Sequence, residues 1–220
     1  MLHNYLTIWW RSLRRYPAFS LTHLAGLSCS ITASLFLLGY VLDEWQYDRH
    51  YPEVDQLYRI AMDVSFGDEQ RQVAVTPAPL GTALAAQASA IEQIASIRPF
   101  RGMQLRQEGE LYPLANTFFA NSAIFELFAF EWLVGSPEQA LSSPEAIVLT
   151  ERVAEQLFGS THAGLLGATV ETGGVNLQLR GIIKNPPEQS HFHPNAFLAY
   201  ANPEMLRDWG NWNWYTYLRL

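Results

Sequence analysis

The chain has 220 residues, with 14 Lys and Arg against 21 Asp and Glu, a net charge of -7 at pH 7 and a single Cys. With 49% hydrophobic and 13% aromatic residues it can bury a core, which excludes a disordered tail. The lone Cys excludes a disulfide framework and a Cys-based zinc site, and the acidic balance argues against nucleic acid as a partner.

Charge is divided unevenly along the chain. Residues 1–42 carry three charges, Arg11, Arg14 and Arg15, all positive, which leaves 11 basic against 21 acidic groups in residues 43–220. The opening stretch MLHNYLTIWWRSLRR sets Leu2, Leu6, Trp9, Trp10 and Leu13 at helical spacing. Residues 1–16 are therefore expected to form an amphipathic helix lying on the cytoplasmic membrane surface.

Between Arg15 and Asp43 lie 27 residues without Asp, Glu, Lys or Arg. Ala18 to Leu42 alone, at ~1.5 Å per residue, gives roughly 37 Å of helix against a hydrocarbon core of ~30 Å. Residues 17–42 are thus expected to span the bilayer, with Pro17 opening the helix at its first turn. The three arginines before the span and Asp43-Glu44 after it place the N-terminus in the cytoplasm by the positive-inside rule. Trp9, Trp10, Tyr40, Trp45 and Tyr47 fit interfacial aromatic belts. A cleaved signal peptide fits less well, because a secretory apolar region runs ~7–15 residues and this one continues through Leu38. A lipoprotein signal ending at Cys29 fails similarly, since Gly26-Leu27-Ser28 lacks the expected preceding pattern. Thr22, Gly26, Ser30 and Ser34 recur every fourth residue, the spacing that lets a second membrane helix approach, although it is also ordinary small-residue content.

Residues 43–220 read as a mixed α and β extracytoplasmic domain, so the fold class is α+β. Strand-like segments are Leu57–Phe66 with a turn at Gly67-Asp68, an extended Ile94–Leu105, Ala146–Leu149, Asn195–Tyr200 and Trp214–Leu220. Thr169–Glu171 and Val175–Lys184 form a hairpin across Thr172-Gly173-Gly174. Helical patterns cover Pro77–Ile91, Ala123–Phe130 and ERVAEQLF, the last with Thr150 as N-cap and Gly159 as terminator.

Chemistry-bearing residues are sparse. No Gly-rich phosphate loop ends in Gly-Lys-Ser/Thr, so ATP hydrolysis by that route is excluded. His191 and His193, with Glu188 nearby, offer two imidazoles without a clear third ligand, and a Pro-stiffened packing loop is the better reading. Ser190 beside His191 has no G-x-S-x-G surroundings. Catalytic, metal and cofactor residues are accordingly assigned to none. Asp43, Glu44, Asp48 and Arg49 read as a juxtamembrane ion cluster or as solvated charges. Trp209, Trp212 and Trp214 read as core or interface packing more than as a ligand patch.

Several phrases taken together resemble the permease subunits of MacB/FtsX-type ABC transporters. They are NYLTIWWRSLRRYPAFSLTHLAGLSCSI, YVLDEWQYDRHYPEVDQLYRI, FFANSAIFELFAFEWLVGSPEQALSSPEAIVLTERVAEQLFG, RGIIKNPPEQSHFHPNAFLAY and the closing WNWYTYLRL. The resemblance implies a MacB-like periplasmic core domain behind a first membrane helix, in a permease of four or eight membrane helices. It implies an ABC ATPase subunit as partner, a second permease copy or paralogue beside it, and a periplasmic partner outside. It further implies mechanotransmission, in which cytoplasmic ATP hydrolysis moves the outer domain for export, lipoprotein extraction or hydrolase control. Because Leu220 falls inside a strand pattern, the sequence reads as the N-terminal part of a longer inner-membrane protein. The alternative is a single-pass protein whose outer domain senses or binds a ligand.

Overall fold

The computed structural model describes residues 2–46, 51, 53–67, 69–200 and 203–220. It divides into two compact units, 1–47 and 48–220. In the first, helix α1 (Leu2–Arg15) and helix α2 (Pro17–Gln46) are separated at Tyr16. Pro17 loses no intrahelical bond at the first helical position, and the Tyr16 carbonyl accepts from the Ser20 N–H at 3.0 Å. Helix α2 runs past the apolar limit at Leu42 to Gln46, for 30 residues. Nothing in Asp43-Glu44-Trp45 breaks a helix, so hydrophobicity ends before the backbone geometry does.

The second unit begins, among the described residues, with Tyr51. Its strands are β1 (Leu57–Arg59), β2 (Met62–Phe66), β3 (Glu69–Val73), β4 (Gln93–Phe100), β5 (Met103–Gln107), β6 (Glu110–Leu114) and β7 (Thr117–Ala120). They continue as β8 (Trp132–Val134), β9 (Ala146–Thr150), β10 (Thr169–Thr172), β11 (Val175–Ile183), β12 (Ala196–Leu198) and β13 (Tyr215–Arg219). The helices are α3 (Leu80–Gln87), α4 (Ala123–Leu127), α5 (Pro137–Ala140) and α6 (Glu151–Phe158). Eleven strands form one mixed sheet in the order β1-β13-β4-β7-β12-β9-β11-β10-β5-β6, with β8 pairing β11, while β2 and β3 form a separate hairpin. The architecture is α+β, as the sequence implies.

Strand β9, AIVLT, is buried at all five positions, which is why it reads as a continuous apolar run instead of an alternating one. It lies between parallel β11 and antiparallel β12. Ile147 and Leu149 face one core with Leu179, Ile182, Ala196 and Leu198, roofed by Val153, Ala154 and Leu157 of α6. Val148 faces a second core with Ile183 and Phe197, covered by Ile124, Phe125 and Leu127 of α4. Alternation along each strand thus feeds two cores, one on each side of the sheet.

Several sequence expectations change. Leu57–Phe66 is two strands: β1 joins the large sheet, the chain leaves it at Ile60-Ala61, and β2 pairs with β3, which had no alternating apolar pattern to announce it. Ile94–Leu105 is also two strands, since the extended run breaks at Arg101-Gly102, where Gly102 has φ +76°, and β4 pairs with β13 and β7 whereas β5 pairs with β6 and β10. Helix α3 is shorter than Pro77–Ile91, and α4 ends at Leu127 instead of Phe130. Thr150 stands at the N-cap of α6, but its hydroxyl donates to the Asn195 carbonyl at 3.3 Å and does not cap the helix. Asn185 supplies that cap, its Oδ1 accepting from the Arg152 N–H at 3.1 Å. Gly159 closes α6 in the left-handed conformation (φ +68°) as expected.

Candidate functional site

Helix α2 is long and apolar enough to cross a membrane by length and composition, with a mean hydropathy of 1.7 over the most apolar 18 residues of Pro17–Trp45. Its large apolar side chains, Phe19, Leu24, Ile31, Leu35 and Phe36 among them, are exposed along its length, as a lipid-facing helix requires. Thr22, Gly26, Ser30 and Ser34 fall on one row of that helix. A Cβ added at Gly26 would meet nothing within 4 Å, so the row stands open among the described residues. The Thr22 hydroxyl is satisfied within the helix by the Ala18 carbonyl at 2.9 Å. On α1, Trp9 and Trp10 are exposed, and the Arg14 guanidinium lies 5.0 Å from the centre of the Trp10 ring. Arg15 similarly covers Tyr16 at 5.7 Å. Arg11, Tyr40, Trp45, Asp43 and Glu44 are exposed, whereas Tyr47, Asp48 and Arg49 lie outside the described residues.

The start of the second unit is tied down by groups far away in sequence. Tyr51 is buried and its hydroxyl meets that of Ser190 at 2.5 Å. Ser190 Oγ accepts from the Phe192 N–H at 3.0 Å and donates to the Phe192 carbonyl at 3.1 Å, which leaves Tyr51 as the donor. The Tyr51 ring stands edge-on to Phe128 at 5.0 Å, and Phe128 in turn meets Tyr217 of β13 at 5.1 Å. Eight residues after Tyr51, Arg59 of β1 lies opposite the same Tyr217. Arg219, at the other end of β13, sits 3.4 Å from both Glu53 and Glu92. The Leu220 N–H also donates to the Gln56 carbonyl at 3.3 Å. Tyr51 is therefore fastened to the 190–192 loop, and residues 53–59 to β13 and its flanks.

These findings redistribute the residues singled out in the sequence. Ser190 is wholly buried and bonded, a packing serine with no access for a substrate. His191 and His193 are both exposed, and the His191 ring lies near those of Tyr51 and Phe128, both at 6.2 Å. No group of three His, Cys, Asp or Glu among the described residues is placed to hold a metal. The three tryptophans separate: Trp214 is buried in the core beside Tyr200 at 4.9 Å, whereas Trp209 and Trp212 are exposed. Core packing thus holds for Trp214 and not for Trp209 and Trp212. Tyr51 and Arg219 were not marked as functional by the sequence, since their partners Ser190 and Glu53 lie 139 and 166 positions away and no local spacing signals them.

The chain thus joins a helix of membrane-crossing length to a two-core α+β domain. The comparisons fix its family. The model of the MacB-like periplasmic core domain matches residues 20–220, and the chain belongs to that family. It therefore falls among transporter permease components. A domain of a candidate permease protein from Porphyromonas gingivalis is similar with a TM-score of 0.68 at 18% identity, over 78% of this chain and 76% of that one. The periplasmic region of MacB from Actinobacillus actinomycetemcomitans is similar with a TM-score of 0.54 at 16% identity, over 75% and 74%. At such identities the likeness establishes the fold. No curated protein matches the chain.

Proposed function

We propose that this chain is the membrane and outer-domain portion of an ABC permease that transmits nucleotide-driven movement from the cytoplasm to the outer domain. A separate ATPase subunit binds and hydrolyses ATP, and residues 17–42 carry the movement across the bilayer. Residues 1–16 lie on the cytoplasmic surface, held by Arg11, Arg14 and Arg15, and residues 43–220 lie outside. The observation that carries this reading is the fastening of Tyr51 and of residues 53–59. Coupling requires that displacement of the chain leaving the membrane favour one arrangement of the domain over another, and a segment bonded to the 190–192 loop at one end and to β13 at the other meets that requirement. The open row of Thr22, Gly26, Ser30 and Ser34 is where another membrane helix packs, from a second permease copy or paralogue. A periplasmic partner would receive the motion.

Orientation is tested in intact cells with Cys29→Ser combined with single cysteines at Thr7 and at Glu145. A membrane-impermeant maleimide should label position 145 and leave position 7 untouched. Coupling is tested by spin-labelling a cysteine at Glu44 in the Cys29→Ser background and comparing native membranes with and without ATP and vanadate. A nucleotide-dependent change in spectrum supports the reading. An unchanged spectrum in membranes with measured ATPase activity of the associated subunit sinks it.

A further inference from the structure

The register of four neighbouring strands gathers an unusual set of side chains on one face. Directly opposite residues in paired strands share a face. Arg59 of β1 stands opposite Tyr217 of β13, Tyr215 of β13 opposite Ile97 of β4, and Pro99 of β4 opposite Phe118 of β7. These residues floor a cavity of about 490 Å³. The 190–192 loop closes one side with His191 and Phe192. The β4–β5 and β6–β7 connections supply its rim, bringing Arg101 and Asn116 to the same opening, where Gly102 (φ +76°) and Asn116 (φ +51°) take the left-handed conformation.

The charge of this wall is opposite to that of its domain. Residues 43–220 carry 11 basic against 21 acidic groups, yet the cavity is lined by two arginines and no carboxylate. Both arginines are exposed. Neither Arg59 nor Arg101 has a hydrogen-bond or ion-pair partner among the described residues, whereas Arg71, Arg106, Arg207 and Arg219 are each paired with a glutamate. In an acid-rich domain two guanidinium groups left without partners around one concavity present ten N–H donors to whatever enters. Arginine forks match the two-oxygen edge of a carboxylate or phosphate. Phe118, Phe192, Tyr215 and Tyr217 supply flat apolar walls below them. The volume falls in the ~300–1,000 Å³ range of small-molecule sites.

We propose that this cavity binds a small anion with a flat apolar body, its carboxylate or phosphate held by Arg59 and Arg101 and its body against the aromatic floor. The site lies wholly within the extracytoplasmic unit, so it stands or falls independently of nucleotide coupling.

The test uses the full chain in phosphatidylcholine nanodiscs, with empty nanodiscs as blank, titrated by ligand-observed saturation-transfer NMR. The probes are 3-phenylpropanoate, its neutral amide, phenyl phosphate, octanoate and inorganic phosphate. Saturable binding of an aromatic anion is expected, with the amide at least tenfold weaker than 3-phenylpropanoate. Comparing 3-phenylpropanoate with phenyl phosphate separates the two head groups, and octanoate and inorganic phosphate measure what the body contributes. The double variant Arg59→Gln/Arg101→Gln should bring the anion down to the level of the amide without changing the thermal melt, while Arg71→Gln on the separate hairpin leaves binding intact. Equal affinity for acid and amide, or absence of saturable binding by either aromatic anion, overturns the proposal in the unaltered protein. Retention of anion binding by the double variant overturns the assignment to these arginines.

Discussion

The hydroxyls of Tyr51 and Ser190 meet at 2.5 Å in the interior of the domain, 139 residues apart in sequence. Ser190 is fixed by Phe192 through its backbone on both sides, so the contact has little freedom to relax. Residue 51 is thereby fastened to a loop that is itself buried among Phe118, Phe128 and Phe197 through Phe192.

That relationship predicts a measurable coupling. Tyr51→Phe removes one hydrogen bond and should cost about 1 kcal/mol, while Ser190→Ala strips partners from Tyr51 and Phe192 and should cost about 2–3 kcal/mol. The double variant should be less destabilised than the sum by about 1 kcal/mol, read from urea melts of the four proteins. Strict additivity would show that the pair does not interact in solution.

Arg219 is the half-hidden cation of β13, with a side chain 21% exposed between the more open Glu53 and Glu92. Substitution by Gln should lower global stability by about 1 kcal/mol or less, because both carboxylates remain largely solvated. Its local effect should be larger. Amide exchange at 53–59 should rise several-fold relative to β9, since β1 is three residues long and pairs, among the strands, with β13 alone. The increase should be reproduced in the unaltered chain by 1 M salt, which screens the same contacts.

Gly135 and Gly109 share a left-handed backbone, at φ +89° and φ +88°, but not their surroundings. A Cβ at Gly135 would stand 2.6 Å from the Arg180 carbonyl oxygen, while at Gly109 it would meet nothing within 4 Å. Gly109→Ala should therefore cost only the backbone strain, about 1–2 kcal/mol. Gly135→Ala should cost about 1–3 kcal/mol more, because β8 and β11 must part to admit the methyl group. Thermal melts of the two variants at matched conditions decide this, and equal losses would remove the steric argument.

Burial holds the Tyr200 phenol well above its usual range, opposed in part by the nearby Arg98. Its hydroxyl donates to the Ser96 carbonyl and lies 3.4 Å from that of Phe119. The folded protein thus keeps this proton after the unfolded chain, with an ordinary Tyr value of about 10, has lost it. The contribution is complete below about pH 10 and declines as pH rises from there toward the folded value. Stability measured from pH 8 to 11 should fall more steeply in the unaltered protein than in Tyr200→Phe, and parallel curves would refute the assignment.

Much of this protein is written in local pattern. The charge-free run after Arg15 determined an apolar helix, because crossing hydrocarbon is a requirement on composition and length that no distant residue can alter. AIVLT followed by ERVAEQLFG determined a buried strand and an amphipathic helix closed by Gly159, since each rests on periodicity and on the conformational freedom of one glycine. The hairpin across Gly173-Gly174 was equally local. The breaks at Arg101-Gly102 and after Arg59 were not, because both neighbouring runs look extended and only the choice of pairing partner tells one strand from two. Thr150 shows the same limit: position made it the N-cap, but the cap itself came from Asn185. Tyr51 met Ser190, Arg219 met Glu53 and Glu92, and Arg59 and Arg101 came to one cavity only when strand order brought first and last segments together. Pairing register acts between residues more than a hundred positions apart, so the clamp and the cavity belong to the tertiary structure, while the long apolar helix, strand β9 and the β10–β11 hairpin belong to the sequence.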